Sequence, residues 1–588
     1  MTTGYNDTFE STVIAALEFE QKLDFLTKGL RFKALGTFKN WSKSINKYSA
    51  GWNKYLLGSY EQNEDGSYSY TTNRVGNEVS TDLNSTNETA GDRRIYLEAM
   101  VDYNRTFGRH DVNAMLLYNQ DELVNNVPGN NLINSLPKRK QGLAGRLSYA
   151  YDGKYMAEVN MGYNGSENFA KGHRWGFFPS IALGYNISEE SFFEPLRKVI
   201  TSMKLRGSWG LVGNDQIGGE RFIYMPTINL SGKGFTTGID QNYGLSGPVY
   251  TRYENNSITW EVGEKINLGI DLQLLNSLNI VVDIFRETRR DIFQKKGTIP
   301  TYLGTGNTDV FGNLAEMKNQ GLDLSIDYNK AFSKDFYMNF KGTFTYAHNE
   351  ITKYDEAPKY AFQSKVGQSA NVSQGYLSNG LFLDEAEIDR YNQQMGSTLG
   401  AGDIKYLNVS NMHGYGDDIV DVDDWTWIGN PTVPEIVYGF GPSFKYKNWD
   451  FSFFFQGVAK TSLFMSGFHP FGDNSLRNVL QANDRWSPTN QNVDAKYPRL
   501  TRKTSLNNTN PGNSGRTSDY WMRDGSFLKL KNMELGYTFK RMRFYISGSN
   551  LLTFSKFDLW DPEQGGGSGL KYPTQRVFNV GFQMTFNN

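Results

Sequence analysis

The groups best able to do chemistry are packed into Gly416-Asp-Asp-Ile-Val-Asp421-Val-Asp-Asp424, where Asp417, Asp421 and Asp423 offer the hard oxygen donors that calcium prefers. A solvated acidic loop accounts for the same residues without an ion, and no other cofactor is expected. Gly304-Thr-Gly306 lacks the following helix that a phosphate cradle needs. The five histidines, at 110, 173, 348, 413 and 469, have neither zinc spacing nor a neighbouring nucleophile. Glu98, Asp102, Glu158 and Asp271 are carboxylates of the type that hydrolyse glycosides, but they recur along strands instead of converging on one cleft. The chain is expected not to be an enzyme.

Rings supply the other candidate chemistry. Trp425 and Trp427, with Phe464, Phe468 and Phe471, are able to stack on a sugar ring or meet a partner protein, and equally able to pack their own loops. Trp425, Trp427 and Phe468 are the candidate ligand-binding residues.

These segments must be held by strands. With 35 Tyr, 39 Phe, 11 Trp and 60 Gly at a mean hydropathy of -0.56, the chain has the aromatic content of β-structure and the polarity of wet faces and loops. No stretch approaches the roughly 18 consecutive apolar residues of a spanning helix, so any membrane crossing is made by strands. The 61 basic and 62 acidic residues are spread without a basic stripe, which argues against a nucleic-acid partner. Cysteine is absent, excluding disulfides and thiolate metal sites.

Alternation of period two dominates. Ile95, Leu97, Ala99, Val101 and Tyr103 interleave with Tyr96, Glu98, Met100, Asp102 and Asn104, and the same pattern recurs at 155–163, 266–274 and 336–346. Tight turns fall at Gly108-Arg109, Asp152-Gly153, Asn276-Ser277, Ser333-Lys334-Asp335, Lys447-Asn448 and Lys540-Arg541. Between them lie long segments, 41–92, 121–139, 214–259, 351–434 and 460–527, in strict alternation with the turns. Alternating faces read alike for strands facing lipid and strands facing a protein core. The asymmetry of the connections favours an all-β, transmembrane antiparallel barrel with short periplasmic turns and long outer loops.

This plan gives roughly 17 strands, from near Ser11 to Phe586, and single-chain barrels of this type normally have an even number. The odd count, and an N-terminus of Met1-Thr-Thr-Gly-Tyr-Asn-Asp without a basic or apolar leader, lead us to expect a barrel domain over 1–588 that lacks its front end. Phe578, Val580, Phe582, Met584 and Phe586 form the expected closing strand. A change of phase between Leu528, Leu530 and Met533, Leu535 predicts a bulge near Asn532.

Ordered motifs extend this reading. Gly142-Leu-Ala-Gly-Arg146, Tyr151-Asp-Gly-Lys-Tyr155, Asn164-Gly-Ser166, Arg174-Trp-Gly-Phe-Phe-Pro-Ser180, Ser188-Glu-Glu190 and Lys204-Leu-Arg206 come first. Thr259-Trp-Glu261, Asn267-Leu-Gly-Ile-Asp271, Gly312-Asn313, Asn319-Gln-Gly321 and Gly402-Asp-Ile-Lys-Tyr406 follow. Leu528-Lys-Leu-Lys-Asn532, Leu535-Gly-Tyr537, Ser549-Asn-Leu551, Asp561-Pro-Glu563 and Tyr572-Pro573 close the series. In this order they resemble, over nearly the whole chain, the SusC/RagA family of TonB-dependent transporters of Bacteroidetes outer membranes.

The resemblance implies a barrel of 22 strands in outer-membrane lipid, filled by an N-terminal plug, covered by a SusD-like surface lipoprotein and energised by TonB. It implies oligosaccharide or oligopeptide substrates. No plug or TonB box is seen in this chain, so TonB is expected to act only through that missing region. Many family members carry a regular Asp-x-Asn-x-Asp-Gly run where this chain has Leu407-Asn-Val-Ser-Asn-Met-His-Gly414, which breaks the expected ligand spacing. The competing reading is a secreted or surface β-rich glycan-binding protein, which would be extracted without detergent.

Overall fold

The computed structural model describes residues 4–129, 132–300, 309–391, 393–394, 399–415, 418–465, 484–500 and 517–586; Gly304-Thr-Gly306, Asp417, Phe468, His469 and Phe471 lie outside them. Among the described residues, 17 strands share one antiparallel sheet. They are β1 Gly4–Lys22, β2 Leu30–Ser49, β3 Asn84–Phe107, β4 His110–Asn125, β5 Lys138–Tyr151, β6 Tyr155–Ser166, β7 Trp175–Asn186, β8 Ile200–Asn214 and β9 Glu261–Leu274. There follow β10 Leu278–Lys295, β11 Phe311–Ala331, β12 Phe336–Lys353, β13 Ile436–Tyr446, β14 Trp449–Ala459, β15 Phe527–Phe539, β16 Met542–Ser555 and β17 Val577–Met584. The chain divides into two compact units.

The first unit comprises Met1–Tyr149, Asn160–Phe178 and Gly219–Phe222. Its strands pair in chain order, β1 with β2 from Gly4↔Ser49 to Lys22↔Arg31 without a bulge, and β2 with β3 from Leu30↔Tyr103 to Ser49↔Asn84. On β3, Ile95, Leu97 and Val101 are exposed while Tyr96, Glu98 and Asp102 are half-buried. A soluble sandwich hides its apolar face; here the apolar face is the open one, as a lipid-facing strand requires.

The opposite face of this unit is polar and internally paired. Arg31 reaches Asp102 at 2.9 Å and Glu20 at 3.3 Å, Lys33 reaches Glu18 at 3.0 Å, and Trp41 Nε1 donates to Glu10 at 2.9 Å. Wet ion pairs of this kind contribute about 0–1 kcal/mol each, so they set register more than they add stability. In the same unit the buried Arg221 donates to the carbonyls of Ile133, Leu136 and Pro137 at 2.8 to 3.0 Å and to Glu167 Oε1 at 2.8 Å. One guanidinium thereby ties together two connections, 126–137 and 167–174.

The second unit comprises Ala150–Val159, Pro179–Gly218 and Ile223–Asn588. Its faces follow the same rule. Ile266 and Leu268 of β9 and Phe544 and Ile546 of β16 are exposed, while Arg206 on β8 bonds Asp271 at 2.7 Å and Asp283 at 3.1 Å. A Cβ at Gly269 would lie 2.5 Å from Asp283 Oδ1 and 2.9 Å from Arg206 Cζ, so only glycine leaves room for that pairing. Arg543 bridges Asp450 and Glu534, the latter at 2.6 Å. On β17, Phe578 and Val580 are 73% and 88% exposed, and Asn579 and Gln583 are exposed too, so both faces of this strand are open.

The expected tight turns are all present, several with the left-handed backbone that short hairpins require: Gly108, Asp152, Gly153, Asn276, Lys447 and Lys540 have φ between 51° and 67°. The predicted bulge is also found: the β15–β16 register shifts between Leu530 and Asn532, and Asn550 opposite has φ 56°.

Three expectations are corrected. The first strand begins at Gly4, not near Ser11. The segment 41–92 is mostly strand, because β2 runs to Ser49, β3 starts at Asn84, and a separate hairpin pairs Lys54–Gln62 with Tyr68–Val75. Asn84-Ser-Thr-Asn-Glu-Thr has no apolar face, and a strand wet on both sides leaves no period-two signal to read. Strict alternation of connection length fails as well, since 187–199, in a short-turn position, is longer than 167–174. It forms two 3-10 turns of its own, Ile187–Glu189 and Ser191–Leu196, with Ser188 and Phe193 buried. Arg197 Nε donates to Ser188 O at 2.7 Å, and Tyr155 donates to Glu190 at 2.6 Å, a hydrogen bond that holds the Glu190 carboxyl below its usual range.

Candidate functional site: the loop assembly

Within the second unit, the long connections fold together on a core of their own. Tyr376, Leu381, Ile404, Tyr406, Trp486 and Trp521 form its centre. The segments converge because each carries one or two large apolar residues too few to make a core alone. Asp403, fully buried, holds them in register: it accepts two hydrogen bonds from Arg499, at 2.5 and 3.0 Å, and one from Gly400 N at 2.9 Å. Gly402, at φ +84°, lies where a Cβ would strike the Trp486 ring at 2.4 Å.

The two candidate tryptophans face this assembly. Trp425 packs against the core, edge-on to Tyr376 with ring centroids 5.9 Å apart. Trp427 donates its indole N–H to Ser364 O at 2.8 Å. Both side chains therefore pack loops together.

Asp421–Asp424, at the end of the acidic stretch, is a capped turn. Asp421 accepts from Asp423 N at 2.8 Å, and Asp424, fully buried, accepts from Asp421 N at 2.7 Å and from Ser410 N at 2.9 Å. Asp423 pairs with Lys359, and that hydrogen bond raises the Lys359 ammonium above its usual value. Backbone donors and one lysine thus engage four of the six carboxylate oxygens of Asp421, Asp423 and Asp424. Among the described residues, no group of three or more metal-ligating side chains converges.

Beside this turn lies a surface that sequence reasoning missed. Tyr360 and Tyr415 are 4.2 Å apart between ring centroids, Phe362 stacks on His413 at 4.7 Å, and Tyr360 stacks on Phe362 at 5.5 Å. Tyr415 and His413 are exposed, Tyr360 and Phe362 half-buried. The patch is braced from behind by Gln363, which donates to Asp423 O at 3.0 Å. Rings four to six ångströms apart on a firm backing make a platform on which planar or apolar ligand faces stack. The His413 position alone was in view from sequence; Tyr415 lies two residues on, but Tyr360 and Phe362 lie more than 50 residues earlier along the chain, with no local pattern joining the two pairs.

A second polar knot ties the last connection to the strands. Lys529, with no solvent exposure, donates to Asp561 and to Glu563 at 2.7 Å, and Lys531 donates to Glu563 at 2.6 Å. Burial alone would raise both carboxyls, but the lysine hydrogen bonds prevail and hold them below their usual range. Two of the motifs that carry the resemblance, 528–532 and 561–563, meet here.

Known proteins are similar to this chain. A TonB-dependent receptor of Formosa agariphila, named P3, is 25% identical over 99% of this chain and 58% of its own length. The TonB-dependent receptor SusC of Bacteroides thetaiotaomicron is 28% identical over 75% of this chain and 43% of its own. The chain spans about half the length of the curated relatives it matches. A solved structure of the RagAB peptide transporter superposes on 99% of this chain and 63% of that one, with a TM-score of 0.71 at 18% identity, which shows the same fold. The family model for the TonB dependent receptor-like β-barrel matches residues 3–551, and the chain belongs to that family.

Proposed function

We propose that this protein forms the wall of an outer-membrane importer of oligosaccharides or oligopeptides, working with a SusD-like surface lipoprotein and driven by TonB through a plug domain. The observation that carries this reading is the open apolar face of the strands, opposite a polar, ion-paired face: an apolar band for lipid on one side and a hydrated passage on the other. The long connections then lie outside the cell, where the ring platform of Tyr360, Phe362, His413 and Tyr415 meets substrate first. Support for uptake comes from the receptor names of the relatives and from the shared fold of a peptide transporter. In this reading the protein performs no catalysis, and the acidic turn is structural. A soluble glycan-binding protein would bury the faces that are open here.

Deletion of the gene, followed by growth on panels of oligosaccharides and oligopeptides as sole nutrient, tests the proposal. Growth on one class is lost, the protein fractionates with the outer membrane and needs detergent for extraction, and the double variant Y360A/Y415A raises the half-saturating nutrient concentration about tenfold, from two stacking contacts of about 0.5–1.5 kcal/mol each. Extraction without detergent and unchanged growth overturn it.

A further inference from the structure

Where β14 and β15 meet the last connection, the second unit contains a cavity of about 530 Å³, a volume typical of small-molecule sites. Val458, Phe464, Phe527 and Pro562 give it apolar walls, and Gly566 closes one side with its backbone. The glycines are necessary there: Gly567 N donates to Phe464 O at 2.8 Å, and a Cβ on Gly566 would come within 2.8 Å of the same oxygen.

Each polar side chain that lines the cavity, Gln456 apart, has at least one hydrogen-bond partner among the described residues. Thr461 Oγ1 donates to Thr432 O at 3.2 Å, Ser462 Oγ accepts from Asn430 N at 2.9 Å, and Glu563 is held by Lys529 and Lys531. Among the described residues, Gln456 has no hydrogen-bond partner for its amide. A sugar ring seated against these apolar walls would set several of its hydroxyls against carbon, at a desolvation cost. An apolar side chain carries no such penalty. The primary amide of Gln456, with donor and acceptor side by side, matches the N–H and C=O of a peptide group.

We infer that this cavity is a subsite for an oligopeptide, taking one apolar side chain between Val458, Phe464 and Phe527 while Gln456 bonds the adjoining peptide group. The inference rests on the import reading and chooses between its two substrate classes.

The test uses purified protein in detergent micelles and three probes: two pentapeptide libraries that differ only in whether the central residue is apolar or polar, and a linear glucohexasaccharide. Enrichment is read by mass spectrometry and affinity by calorimetry. The apolar library is enriched about tenfold over the polar one, the return expected for burying one side chain. Val458→Phe fills the cavity and abolishes that preference. Gln456→Leu weakens peptide binding about fivefold and keeps the preference. Folding of each variant is checked by heat-dependent migration on gels, and Gln456→Leu stands as the test should Val458→Phe not fold. Hexasaccharide binding that neither variant alters, or equal enrichment of both libraries, overturns the subsite and leaves the importer standing. Binding of no probe, with unchanged growth of the deletion strain, removes both.

Discussion

Lys529 Nζ lies 2.7 Å from Glu563 Oε2, an ammonium without solvent exposure joined to a carboxylate on a connection 34 residues further along. Asp561 accepts from the same nitrogen. Removing the cation leaves the half-buried Asp561 and the more exposed Glu563 without their shared partner, with only Lys531 at their edge. Lys529→Met is expected to cost about 3 kcal/mol, the lower end for breaking a buried pair, because Glu563 keeps part of its hydration. Urea unfolding of the refolded barrel, followed by tryptophan fluorescence, measures it.

The same knot sets a pH dependence. Asp561 and Glu563 titrate below their unfolded values. Their contribution is therefore complete above the ordinary carboxylate range and lost as pH falls through the depressed folded values. The variant D561N/E563Q should be less stable than the parent at pH 6, and the two unfolding midpoints should begin to converge below about pH 4, meeting only below the folded values. A gap as wide at pH 3 as at pH 6 would show that the side chains act through packing.

Arg221 is the equivalent clamp in the first unit. Arg221→Ala removes a buried donor group from three carbonyls and Glu167. Burying acceptors without partners costs about 1–3 kcal/mol each, so the two connections should open sooner than they lose their bonds in place. Proteinase K should cut within 126–137 and 167–174 at least several-fold faster than in the parent, with the strands left intact.

The acidic turn predicts insensitivity to chelation. Because Asp421 and Asp424 cap backbone N–H groups, EDTA should leave the melting of the loop assembly unchanged, while Asp421→Ala should destabilise it by about 1 kcal/mol, the usual worth of a capping side chain. A midpoint that falls with EDTA and returns with calcium would instead make this turn a cation site.

Gly321 tests close approach between strands. A Cβ there would lie 2.0 Å from Tyr346 O on the neighbouring strand and 2.7 Å from the Phe285 ring. Gly321→Ala should displace the β11–β12 ladder and abolish folded barrel on heat-modifiability gels. Gly247→Ala, where the added carbon has nothing within 4 Å, should fold normally.

Much of this architecture was legible without coordinates. Alternation such as Ile95, Leu97, Val101 against Glu98, Asp102 records that a strand has one apolar and one wet side, and a two-residue turn such as Asp152-Gly153 records its own backbone. Both are properties of a few neighbouring residues. The bulge beside Asn532 was readable for the same reason, because a slip of one residue reverses every face after it. The polar start of β3 at Asn84 was not readable, since a strand wet on both faces carries no alternation.

The sequence by itself therefore determined the strand order, the faces, the turns and the family. Only the tertiary structure decided that Lys529 closes on Asp561 and Glu563, that Tyr360, Phe362, His413 and Tyr415 share one surface, that Asp421 and Asp424 cap backbone N–H groups, and that Gln456 faces an apolar cavity. Periodicity is local physics and survives in a string of letters. Convergence of loops depends on distances set by strands far apart along the chain, and those distances exist only once the sheet has formed.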